Sequence, residues 1–184
     1  MAGGFKVTDL VLFGKEFAVP KRFTGAMTIK ALPYRVEIDV SLKGERFLCE
    51  ALRAERKKGG PPVTSEGIRK LPVGELIRTA ALAYIHRVKA NPKEKGSVII
   101  TPTRLTGFER FASSGATDEA LEYVALVYRL AYACNDSPTK AVMDAFGLPR
   151  ATAGRWIASA RERGFLGKSL GERKPGAAPT RRRK

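Results

Sequence analysis

The chain has 184 residues, room for one domain or two small ones, and 43% of them are hydrophobic, enough for a real core. Its 34 Lys and Arg against 18 Asp and Glu give a formal net charge of +16, which points to a polyanionic partner, nucleic acid before acidic membrane. No run approaches the roughly 18 apolar residues of a bilayer span, and one histidine, His86, with two cysteines builds neither a zinc cluster nor a His-based triad.

The start, MAGGFKVTDLVLFGKEF, lacks the basic opening, long apolar run and cleavage site of a secretion signal. The expectation is a cytoplasmic, nucleoid-associated protein with no membrane partner, its Cys49 and Cys134 reduced and buried. No catalytic residue, metal or cofactor is expected.

The first third reads as strands. FKVTDLVLF (5–13) and AMTIKAL (26–32) are short candidates. YRVEIDVSLK alternates cleanly, with Tyr34, Val36, Ile38, Val40 and Leu42 on one side and Arg35, Glu37, Asp39, Ser41 and Lys43 on the other. Lys43-Gly44 is a turn into ERFLCEALRAER, which either pairs back as a hairpin or, from Leu48, Ala51 and Leu52, forms a helix. The run 57–62, KKGGPP, is a loop.

Thr64 can cap a short turn, and Pro72 suits the first position of a helix running to about Val88. Leu76, Ile77, Ala80, Tyr84, Ile85 and Val88 are its apolar face, with His86 beside it as a surface or interface residue rather than a ligand. Ser97–Thr101 is one more short strand. Residues 102–117 read as a linker, in which Leu105, Phe108 and Phe111 can pin the chain to a surface. Thr117 and Asp118 open a helix to about Cys134, with Leu121, Val124, Ala125, Tyr128 and Ala131 as its stripe.

The segment from Pro138 to Leu166, PTKAVMDAFGLPRATAGRWIASARERGFL, carries the functional signal. Thr139 can cap a first helix whose apolar face is Ala141, Val142, Ala145 and Phe146. Gly147 ends it in a left-handed turn, and Leu148 packs back. A second helix starts near Arg150 and buries Ala153, Trp156, Ile157 and Ala160. That layout is a helix-turn-helix, whose second helix enters the DNA major groove. Arg150, Ala151, Thr152, Gly154 and Arg155 face outward at its start and are the base-contact candidates, since arginine reads guanine with two hydrogen bonds and threonine can touch a thymine methyl. Thr139, Lys140, Arg161 and Arg163 are the phosphate-contact candidates. From Gly167 the hydrophobic pattern is lost, and a tail ending Arg181-Arg182-Arg183-Lys184 is expected to be disordered and to bind phosphate without reading sequence.

The same segment resembles the C-terminal helix-turn-helix of uncharacterised proteins from high-GC Gram-positive bacteria and their phages, whose pattern is close to P-T-x-A-V-A-x-x-F-G-V-S-x-x-T-A-x-R-W-I-x-x-A-R-x-x-G-L-L. The preceding EYVALVYRLAYA fits the helix that comes before it in those proteins, and VTSEGIRKLPVGELIR looks like their middle. The resemblance implies a DNA-binding protein taken to be a transcriptional regulator. Two positions depart from the pattern. Met143 stands where alanine is usual, and Pro149 where Ser or Thr caps the second helix.

Together these give an α+β chain. Residues 1–101 form a small antiparallel sheet with a helix, for dimerisation or partner contact. A linker (102–117), a three-helix DNA-binding unit (118–166) and a disordered basic tail (167–184) follow. The expected function is sequence-specific double-stranded DNA binding by a homodimer. Two alternatives stay open: a DNA-organising, packaging or recombination accessory protein of a phage or mobile element, and an RNA-binding basic protein. A weaker pattern, Asp39 with Glu55-Arg56-Lys57, is similar to the carboxylate-and-lysine set of metal-dependent nucleases.

Overall fold

The computed structural model describes residues 9–13, 16–28, 33–92, 94, 97–103 and 106–167. In chain order the elements are β1 (Leu10–Leu12), β2 (Phe17–Pro20), β3 (Arg22–Met27), β4 (Tyr34–Lys43), β5 (Arg46–Arg56), α1 (Ser65–Arg69) and α2 (Val73–Ala83). They continue with β6 (His86–Ala90), β7 (Val98–Pro102), α3 (Arg110–Ser114), α4 (Asp118–Ala133), α5 (Pro138–Phe146) and α6 (Arg150–Glu162). The fold is mixed α+β with two antiparallel sheets, ordered β1-β2-β6-β7 and β3-β4-β5.

The alternation in 34–43 becomes the middle strand of the second sheet. Tyr34, Val36, Ile38 and Val40 are buried and Leu42 is half-buried, while β5 pairs back from a turn at Gly44 and Glu45. The ladder thus excludes the helical alternative for 46–56. Between Asp39 and Val40 the register shifts, leaving Glu50 as the extra residue of a bulge. Helix α2 lies close on β3: a Cβ on Gly25 would stand 2.6 Å from the Cβ of Ala80.

Several sequence expectations are corrected. The helix expected to reach Val88 ends at Ala83, and the chain continues as β6, paired on both sides by β2 and β7. Ile85 and Val88 fit the helical spacing, but Ile85 lies between helix and strand, its carbonyl accepting from Thr103 N–H, and Val88 is in the sheet; tertiary pairing overrides local periodicity. Pro72 is the residue before the first helical position, not the first. His86 is not a surface residue but is buried on β6, with its Nδ1 2.8 Å from the Tyr84 carbonyl oxygen. Cys49 is half-buried because it sits on the outer strand β5; Cys134 is buried, and burial pushes its thiol up to about 12. Thr64 and Thr117 cap α1 and α4 as expected, accepting from Gly67 and Ala120 backbone N–H groups. Strand β2 has no counterpart among the expected strands, and parts of 5–13 and 26–32 lie outside the described residues.

Segment 102–117 carries α3 and buries both Phe108 and Phe111. They complete an aromatic path through the molecule. Phe17 on β2 meets Tyr123 on α4 at 5.3 Å between ring centres, Tyr123 meets Phe108 at 5.2 Å, Phe108 stacks on Phe146 of α5 at 5.2 Å, and Phe146 meets Trp156 of α6 edge-on at 5.8 Å. A second aromatic group, Phe13, Phe47, Phe23 and Tyr84, ties the two sheets together. No described helix is long and apolar enough to cross a membrane.

Because Phe17 is fully buried, Phe17→Ala is expected to lower unfolding stability by about 3–5 kcal/mol. Trp156 is the only tryptophan and sits at the far end of the path. Its fluorescence midpoint should therefore fall together with the far-UV circular dichroism midpoint in a denaturant titration. A Trp156 transition left in place would mean the sheets and helices unfold separately.

Candidate nucleic-acid interface

Helix α4 is the hub of the C-terminal helices. Its cap, Thr117, and the acids Asp118 and Glu119 complement its N-terminal dipole, and it packs on both α5 and α6. Helix α5 buries Val142 and Phe146. Its N-cap is Ser137, with Pro138 at the first helical position, where the missing N–H costs nothing. Thr139 is therefore inside the first turn and is not the cap.

Gly147 takes φ +63° and closes α5. The Leu148 N–H also donates to the Met143 carbonyl at 3.0 Å. Leu148 is buried, and Gly147, Leu148 and Pro149 are all that separates α5 from α6. Ala153, Trp156, Ile157 and Ala160 are buried, all four as expected.

The opposite face of α6 is open. Arg150, Ala151, Gly154, Arg155 and Ala158 are exposed and Thr152 is half-buried. A Cβ built on Gly154 meets nothing within 4 Å, so no packing among the described residues accounts for glycine there. Pro149 offers no side-chain cap and the first turn holds no acid, so among the described residues no side chain answers the leading N–H groups of α6 or the positive end of its dipole. Helix α5 likewise has no side-chain cap and no acid in its first turn. Ala158 extends the open face by one turn, a position absent from the sequence-based candidates although the helical spacing indicates it.

The arginines of α6 divide into two groups. Arg163 ion-pairs with Asp118 at 2.7 Å and donates to the Ala116 carbonyl at 3.4 Å, fastening the end of α6 to the start of α4. Arg161 lies over the Tyr128 ring at 5.2 Å and donates to its hydroxyl at 3.1 Å. Both were phosphate candidates, and both turn toward α4, Arg161 half-buried and Arg163 in an exposed pair. Arg150 and Arg155, in contrast, have no carboxylate partner among the described residues; Arg155 donates only to Thr152 Oγ1, at 3.4 Å. Lys140 pairs with Asp144 one turn on, at 2.8 Å, but both are well exposed, and such a pair is worth only about 0.3–0.5 kcal/mol. Arg181, Arg182, Arg183 and Lys184 lie outside the described residues.

The nuclease-like set is not assembled. Asp39 stands opposite Ala51 and Glu55 opposite Arg35, four residues along the sheet, or about 13 Å at the strand rise. Asp39 accepts from Thr24 and Arg53, and these hold its carboxyl below the usual range. Among the described residues no three His, Cys, Asp or Glu side chains are grouped to hold a metal ion. A separate cleft of about 600 Å³ lies between α2, residues 106–109, α4 and α5, with apolar walls from Leu82, Phe108, Val127 and Leu130.

Comparison of the chain with protein-family models, curated proteins and solved structures yields no match.

Gly154→Ala should stabilise the protein by about 0.5–1 kcal/mol, because alanine favours the helix and the added methyl meets no neighbour. Denaturant unfolding measures this directly. A loss of stability instead would mean that the space beside Gly154 is filled in solution.

Proposed function

We propose that α5, the Gly147 turn and α6 work as a helix-turn-helix, and that the protein binds double-stranded DNA sequence-specifically as a transcriptional regulator. The observation that carries this reading is the open face of α6. Two arginines without carboxylate partners flank a glycine with free space, at an uncapped helix start, in a chain of net charge +16. A helix buried on one face by Trp156 and Ile157 and offering that surface on the other suits entry into a major groove. Small side chains at Ala151 and Gly154 let the backbone approach; Arg150, Thr152 and Arg155 then reach base edges. Unsatisfied N–H groups at the start of α6 suit a phosphate oxygen, as do those of α5 beside Thr139 and Lys140.

The assignments of Arg161 and Arg163 become structural under this reading. They hold the orientation of α6 and contribute charge at a distance. RNA recognition of single strands uses aromatic rings as stacking platforms; the open face of α6 carries none, and Trp156 is buried beneath it.

Selection of bound sequences from a random duplex pool at about 150 mM salt, where exposed charge is already screened, should enrich one motif. Arg150→Ala should cost about 1–3 kcal/mol on that motif and relax discrimination at one position. Retention of DNA with no enriched motif would turn the reading toward DNA organisation.

The tail should behave differently. Residues 168–184 hold seven basic residues and one acid, or +6 of the net +16. Truncation after Gly167 should weaken all sequences alike. It should also flatten the logarithmic salt dependence, by about 0.9 for every phosphate the tail neutralises. Loss of specific binding alone would reverse that division of labour.

A further inference from the structure

Strand β7 ends the sheet β1-β2-β6-β7, and among the described residues no strand covers its outer side. Its hydrogen-bonding phase can be fixed. Asn91 N–H donates to the Ser97 carbonyl at 3.0 Å and Thr103 N–H to the Ile85 carbonyl at 2.9 Å. With His86 opposite Pro102 and Ala90 opposite Val98, the odd-numbered residues of β7 turn their backbone groups toward β6. Val88 N–H donates to Glu16 at 2.7 Å on the other side of β6, as the same phase requires. Val98, Ile100 and Pro102 therefore direct their backbone groups outward. The free edge offers N–H and C=O from Val98 and Ile100, and C=O alone from Pro102.

The strand is unlike a protected edge. Edge strands are ordinarily blunted by charge, proline or brevity. The sequence VIITP has no charge, and its proline comes only at the last position. Val98 is 50% and Ile99 45% exposed, and they lie on opposite faces of the strand. The other sheet edges differ: β3 opens on Arg22, β5 carries Arg46, Arg53 and Arg56, and β1 has three residues.

We propose that β7 pairs antiparallel with β7 of a second copy of this chain, in a register centred on Ile100, joining two sheets into one across a two-fold axis. In that register the two Ile100 residues exchange N–H···O=C bonds, and each Val98 N–H donates to Pro102 C=O of the other copy. Every outward donor of the strand is used, and the proline falls where only an acceptor is required. Ile99 of one copy stands beside Thr101 of the other, in a position without hydrogen bonds where side chains approach most closely. Charge permits a like partner at this strand. Two chains of +16 repel at long range, but the uncharged VIITP strand meets its own copy without setting like charges directly opposite one another. The pairing stands independently of the DNA reading; only its consequence, two α6 helices about one axis, rests on it.

The full chain, free of nucleic acid, should approach twice the single-chain mass by sedimentation equilibrium as its concentration rises from about 1 to about 100 μM, because mass action favours the dimer. Ile99→Lys and Ile100→Pro should each reduce it to the single-chain mass. Ile100→Pro removes an N–H that bonds nothing in β6, so the hairpin is kept, and an unchanged far-UV spectrum would verify that. Ile99→Cys combined with Thr101→Cys should give disulfide-linked dimers under mild oxidation, while Leu12→Cys, on the opposite edge, should not. A single-chain mass for the parent at all concentrations, or a dimer that survives both edge variants, overturns the proposal. A dimer that binds no DNA leaves the pairing intact and removes the DNA reading; a monomer that binds DNA does the reverse.

Discussion

The structure turns on the aromatic path from Phe17 through Tyr123, Phe108 and Phe146 to Trp156. Each ring belongs to a different part of the chain: a strand, the hub helix, the segment before α3, and the last two helices. Ring pairs at such separations are worth about 0.5–1.5 kcal/mol each beyond the area they bury. Their greater effect is geometric, because a close-packed interior accepts few alternative arrangements. Tyr123 is the junction, touching Phe17 on one side and Phe108 and Phe111 on the other. With α4 pinned there, α5 and α6 have one place to pack.

What that anchoring gives the last helix is a fixed rotation about its own axis. Ala153, Trp156, Ile157 and Ala160 have to face inward, so Arg150, Ala151, Gly154 and Arg155 have to face out. The far end is held as well, by Arg163 on Asp118 and by Arg161 against Tyr128. Arg161 would be a poor choice for a distant phosphate, since it is half-buried and leaving the ring would forfeit a cation–π contact. Two arginines that sequence reasoning grouped with the partner are part of the support for the open face of α6.

The legibility of the chain follows how local each signal was. Residues 34–43 were readable because strict alternation admits one strand phase, and the faces came out as expected except just past the bulge, where Leu42 is half-buried and Ser41, expected on the open side, is buried. The α5-turn-α6 segment was readable because Gly147 and the spacing of Val142, Phe146, Ala153 and Trp156 are all local. Residues 84–90 were not. Tyr84, Ile85 and Val88 satisfy a helical period, and the pairing of His86–Ala90 with β2, far earlier in the chain, and with β7 after it decides for a strand. Phe108 and Phe111 lay in a stretch rich in Gly and Ser, where composition indicates a loop and the partners that bury them come later in the chain. Individual roles were the least legible: nothing in the spacing distinguishes Arg163, which meets Asp118, from Arg155, which meets no acid.

Natural sequences are locally consistent except where something outside the fold compensates, and α6 is inconsistent in one place only. A glycine inside the helix costs about 0.8–1 kcal/mol relative to alanine. A missing cap at Pro149 costs about 1 kcal/mol more. Arg150 and Arg155 add positive charge near the positive end of the dipole, an unfavourable placement. Helix α4 has none of these faults: it is capped by Thr117 and opens with two acids. All three faults fall between Pro149 and Arg155, at the start of α6, and no contact among the described residues offsets them. They share one remedy, a polyanion close against the start of the helix. It would accept from the free N–H groups, neutralise the arginines, and occupy the space that a larger side chain at 154 would fill.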